Sequence, residues 1–146
     1  MLTLSDLLLQ GLLGLCVTIG FGILFNVPRD SLAYGGVIGA VGHVLRFALR
    51  KAGLSNEVAT FFGALAVGLL GYWVSHRLQS KPRMIFTVTG IISMVPGIPA
   101  YEMIIYFSHS DTLNGIQSAV RAVLATGAIA AGLSTARLLT EFEHRE

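Results

Sequence analysis

Five apolar runs, each long enough to cross a bilayer, fill most of this sequence and leave only short polar joints between them. They cover about residues 7–25, 31–49, 56–75, 84–107 and 115–139. A transmembrane helix needs about 20 such residues. Only 12% of the 146 residues are charged, half the level of about 25% usual in soluble domains. Hydrophobic residues make up 53%, and mean hydropathy is +0.71. The expectation is an all-α integral membrane protein, a bundle of five transmembrane helices forming a single transmembrane domain over residues 1–146. The N-terminal stretch Met1–Asp6 has no positive residue, so the first run reads as a retained membrane helix rather than a signal peptide.

The fourth run is the unusual one. Residues 84–107 carry Met94-Val95-Pro96-Gly97-Ile98-Pro99-Ala100-Tyr101 inside them. Each proline removes a backbone donor and clashes with the preceding turn. A Pro-Gly-x-Pro break is therefore expected to interrupt this helix. Within hydrocarbon such a break survives only where protein buries it or a cavity adjoins it. Transporters place substrate sites at breaks of this kind, near the bilayer midplane. Pro96, Gly97, Pro99 and Tyr101 are thus candidate substrate-lining residues. Freed carbonyls would accept from an ammonium group, and a half-helix N-terminus would donate to a carboxylate. The bland reading is a proline kink whose freed carbonyls are satisfied by neighbouring helices.

Ionisable residues inside spans are costly and tend to be functional. Glu102 near the end of the fourth span and Arg121 near the start of the fifth would each sit about 7–8 Å below one surface at 1.5 Å per residue. The short loop 108–114 makes these spans an antiparallel hairpin, so the two charges can meet. In the second span Gly35, Gly39, Gly42 and Arg46 share one stripe, with His43 beside it. The expected site is a polar cluster of His43, Arg46, Glu102 and Arg121. Its bland counterpart is a structural Glu102–Arg121 ion pair, a snorkelling Arg46 and a packing His43. Ala128, Gly132 and Ala136 form a small-xxx-small face suited to helix packing.

The net charge of +2 is spread over loops, with no basic patch for nucleic acid. Cys16 is the only cysteine, which leaves no intramolecular disulfide and no thiol metal site. No catalytic constellation of paired carboxylates, Ser/His or metal ligands falls within the spans, so neither an enzyme nor a bound cofactor is expected. Basic residues orient a multi-pass protein. Arg29, Arg77, Lys81, Arg83, Arg137 and Arg145 fall on the C-terminal side, against Arg46, Arg50 and Lys51 on the other. That favours the N-terminus out and the C-terminus in.

Three motifs in order carry a family resemblance: Gly22 through Phe25-Asn26-Val27-Pro28, Gly39-x-x-Gly42-His43-x-x-Arg46, and Met94-Val95-Pro96-Gly97-x-x-x-Tyr101. With them, nearly the whole chain resembles the small five-helix subunit of the ThrE-type threonine/serine exporter family. The resemblance implies a bacterial inner-membrane protein that exports threonine, serine or a related small organic acid. It implies a partner as well, a second ThrE-like membrane subunit with a soluble N-terminal region. Two five-span halves would form an inverted pair, and a homo-oligomer is the other assembly considered. Asn26 joins the candidate site on its motif match. The leading expectation is proton-coupled export of small amino acids, with His43 suited to proton transfer. The alternatives are an exporter of a small dicarboxylate, with Arg46 and Arg121 supplying charge, and a non-transporting assembly subunit.

Overall fold

The computed structural model describes residues 3–78 and 82–142, so Lys81 and Arg145 of the charge count lie outside the described residues. Among the described residues there are six α-helices and no strand. They are α1 (Leu4–Leu24), α2 (Arg29–Lys51), α3 (Asn56–Leu78), α4 (Arg83–Ile91), α5 (Gly97–Ser108) and α6 (Thr112–Phe142), with a single 3-10 turn, Ile92–Met94, after α4. Four of them, α1, α2, α3 and α6, are each long and apolar enough to cross a membrane. The pair Arg83–Met94 and Gly97–Ser108 passes the same test only jointly and is bent by 52°.

The helix ends follow local chemistry. α1 starts a turn earlier than the apolar run suggests. Thr3 and Asp6 form a capping box there, and this satisfies donors that apolar residues could not. α2 starts at Arg29 because the Pro28 carbonyl accepts from Ser31 and Leu32. Asp30 and Ser31 therefore lie inside its first turn. α6 begins at Thr112, since the Asp111 carboxylate accepts from the Asn114 amide. Three helices end in the same way. Asn26 (φ 56), Gly53 (φ 97) and Ser110 (φ 60) each take the left-handed conformation just past α1, α2 and α5. The residue after each donates back to the carbonyl five positions earlier, which is the Schellman arrangement.

The body is held by close approach at glycines. A Cβ on Gly42 would come 2.5 Å from Val67 and 3.2 Å from the Gly63 carbonyl, so α2 and α3 nearly touch there. Gly35 meets Thr89 of α4, and Gly39 meets Thr18 of α1. Three faces of α2 are thereby occupied by α1, α3 and α4. Phe86, Val67, Met94, Ala64 and Ile38 fill the space between them.

α6 packs along α3 through the predicted small face: Gly132 meets the Phe61 carbonyl and Ala64, and Ala136 meets Gly68. A residue of α6 is thus level with the α3 residue about 68 positions earlier, so Asn56 at the start of α3 is level with about residue 124. The first 12 or so residues of α6 consequently extend about 18 Å past the ends of α1, α2 and α3 on that side. α5 accompanies this extension. It finds its packing partner in α6, with Phe107 against Gly115, and none of its residues is buried.

Candidate transport site

Pro96 opens the break. Val95, Pro96 and Gly97 form an inverse γ-turn, with Pro96 at φ −78 and ψ 61 and the Gly97 amide donating 2.8 Å to the Val95 carbonyl. Pro99 plays a different part from the one expected. It sits in the first turn of α5, where a missing N–H leaves no intrahelical bond unmade. Gly97 has open space where a Cβ would stand, so it makes no close packing among the described residues. The break lies toward the end of the body, level with the start of α3, rather than midway along the spans. The chain from Arg83 to Gly97 includes a 3-10 turn, which rises faster than an α-helix.

Arg46 joins α2 to this break. Its Nη1 donates 3.2 Å to the carbonyl of Met94, the last residue of the 3-10 turn, and its Nη2 donates 3.0 Å to Asn56 Oδ1 at the start of α3. Ser93 donates from Oγ to the Gly39 carbonyl at 3.4 Å. The freed backbone is therefore partly satisfied by α2, as the kink reading requires. One turn away, His43 Nε2 lies 3.0 Å from Gln10 Oε1 of α1. That amide oxygen can only accept, so His43 donates from Nε2 and keeps Nδ1 as an acceptor in the neutral ring. Among the described residues His43 Nδ1 and Arg46 Nε are buried without a hydrogen-bond partner. Gln10, His43, Arg46, Phe47 and Arg50 line a cleft of about 290 Å3 beside them.

The predicted cluster of four charges divides in two. His43 and Arg46 line the α1–α2 cleft. Glu102 and Arg121 lie on the α5–α6 hairpin, which shares no packed face with α2. Glu102 is half-buried and Arg121 exposed. The two make no ion pair with each other among the described residues, whereas Arg137 and Glu141 do pair on α6. Tyr101 is 66% exposed on the outside of α5. Asn26 is at the opposite end of α1, in the turn to α2, where its left-handed backbone closes the helix. A larger cavity of about 460 Å3 opens at that opposite end, lined in part by Arg83, Thr87, Ser134 and Arg137, and holds none of the predicted residues.

Sequence reasoning missed Gln10, Asn56 and Ser93. Gln10 had a signal, as the one amide in an otherwise apolar first span. Asn56 reads from sequence as a helix start, and its contact with Arg46 arises only from folding. Among the described residues no group of three His, Cys, Asp or Glu could hold a metal ion.

The profile of the family described as "Threonine/Serine exporter, ThrE" matches residues 10–139. The chain is also 38% identical over 129 residues to an uncharacterized protein of Haemophilus influenzae, a match that covers 83% of this chain and 43% of the relative. It thus spans less than half the length of that relative. No solved structure matches it. Matched over nearly its whole length and built of long apolar helices, this multi-pass membrane chain belongs to the threonine/serine exporter family.

Proposed function

We propose that this chain is a subunit of a proton-coupled exporter of small amino acids of the threonine/serine class in the bacterial inner membrane. It works with a longer ThrE-like half that has a soluble N-terminal region. The chain forms one domain of five spans, the fourth interrupted at the Pro-Gly-x-Pro break, with the N-terminus out and the C-terminus in. A relative of which this chain matches only 43% supports a second half.

The observation that carries the reading is the junction at Arg46. One guanidinium holds the Met94 carbonyl at the break and Asn56 Oδ1 at the start of α3, while its Nε has no hydrogen-bond partner among the described residues. A substrate carboxylate in the cleft would take the guanidinium groups of Arg46 and Arg50. Its ammonium group would turn to carbonyls at the break, and His43 Nδ1 would take the coupled proton. The test is efflux of labelled threonine and serine from vesicles holding this chain and its longer partner. Gradient-driven efflux that Arg46→Gln abolishes is the expected result. Efflux unchanged by Arg46→Gln would remove the site, and absence of efflux with both halves present would remove the function.

The cleft supports a second reading. Its lining has two guanidinium groups and an imidazole but no carboxylate, which suits a small dicarboxylate better than a zwitterion. Competition between succinate-sized diacids and threonine in the same vesicles separates the two.

A further inference from the structure

The α5–α6 hairpin carries two opposite charges, Glu102 and Arg121, that do not pair with each other among the described residues. Their arrangement is specific. Phe107 packs on Gly115, so in these antiparallel helices Glu102 is level with about residue 120, beside Arg121. The half-buried residues Pro99, Met103 and Tyr106 mark the line of α5 that faces α6. Gly115, Ser118 and Ala122 mark the line of α6 that faces α5. At 100° per residue, Glu102 precedes its line by about 70° and Arg121 precedes its own by about 100°. In antiparallel helices the same angular sense puts both on the same side. That side of the hairpin thus displays an acid on one helix and a base on the other, at one level, past the end of the body.

We infer that this side of the hairpin is a homodimer interface, in which a second copy of this chain pairs its Arg121 with Glu102 and its Glu102 with Arg121. A two-fold axis parallel to the helices preserves level and exchanges left for right. It therefore sets α5 of one copy opposite α6 of the other and brings each charge onto its complement. The face is self-complementary in the way an isologous interface requires. The four helices then form an antiparallel bundle that covers hairpin surface now exposed, Ile98 at 74% among it. A half-buried carboxylate and a guanidinium beside an apolar surface gain from such pairing, because each alone is costly there. This interface does not rest on the substrate assignment, and it leaves the α1–α2 cleft open.

The test is reciprocal charge reversal in lipid nanodiscs, read by mass. Wild type is expected as a dimer. Glu102→Arg and Arg121→Glu should each associate at least about tenfold more weakly, since like charges then face each other twice. Mixing the two variants should restore the dimer, as a heterodimer carrying both tags, because every facing pair is then opposite. Monomeric wild type overturns the inference, and so does a dimer indifferent to both reversals. Rescue by Glu102→Arg with Arg121→Glu in one chain, without rescue by mixing, shows a pair within the chain and overturns it too. If a reversal variant fails to fold, thiol cross-linking decides in a Cys16→Ser background. Ile105→Cys in one tagged copy and Gln117→Cys in another are level-matched on this face. They should cross-link in the mixture, and no heterospecific product refutes the interface.

Discussion

Arg46 donates to the Met94 carbonyl at 3.2 Å from a different helix, 48 positions away in sequence. The same guanidinium reaches Asn56 at 3.0 Å, so one side chain ties α2, the start of α3 and the break together. Withdrawing the donor from a carbonyl in these surroundings costs about 1–3 kcal/mol. Arg46→Gln should lower the melting temperature in detergent by several degrees and abolish export. Arg46→Lys keeps the charge but lacks the planar fork that serves two acceptors. It should recover part of the stability and little of the export. A lysine variant equal to wild type in both assays would show that only the charge matters.

The two prolines should separate cleanly. Pro96 fixes the γ-turn and bars helix through residues 94–97, whereas Pro99 occupies a first-turn position that tolerates proline. Pro99→Ala should leave efflux within about twofold and stability within about 0.5 kcal/mol. Pro96→Ala lets the two half-helices join and should reduce efflux about tenfold or more while the protein stays in the membrane, as a kink that works in transport requires. The measurement is vesicle efflux normalised to inserted protein. Equal effects from the two substitutions would contradict this division of roles.

His43 and Gln10 give a prediction about coupling. Gln10 fixes the tautomer by accepting from Nε2, which leaves Nδ1 to take a proton. With an imposed pH gradient, His43→Gln should lose gradient-driven efflux and keep any downhill exchange. Gln10→Leu should weaken the response several-fold without abolishing it, because the ring survives but loses its orientation. If both variants respond to the gradient like wild type, His43 is a packing residue.

Much of this fold was legible because lipid imposes strong constraints. Long uncharged runs, the glycine stripe of α2 and the small face of α6 are one-dimensional patterns, and each meets a neighbouring helix. A bend between α4 and α5 was legible to the extent that proline chemistry is local. What could not be read was depth. Counting from the ends of an apolar run assumes one straight helix, whereas the bend and the 3-10 turn shift the register of everything after Met94. The error places Glu102 and Arg121 inside the body beside Arg46, when they stand on a hairpin beyond it. Asn26 illustrates another limit. A residue in a recognisable motif can be there for its backbone, and φ 56 is invisible until the turn is seen. Partners from distant sequence, such as Asn56 and Ser93, follow only from packing.

The glycines of the bundle make unequal demands, and that offers the sharpest test of its packing. A Cβ on Gly132 would stand 2.5 Å from the Phe61 carbonyl oxygen and 3.0 Å from the Leu65 nitrogen. These are backbone atoms of α3, which cannot rotate aside, so Gly132→Ala must push α6 away along its main contact. Overpacking of this kind costs about 1–3 kcal/mol. Gly20 on α1 has nothing within 4 Å of the same added atom. There an alanine meets open space and gains up to about 1 kcal/mol of helix propensity. Thermal melts in detergent should therefore move in opposite directions, down for Gly132→Ala and level or up for Gly20→Ala. Equal melting temperatures would mean that α3 and α6 do not approach as closely as this face requires. Export should follow the same order, because α6 anchors the hairpin beyond the break.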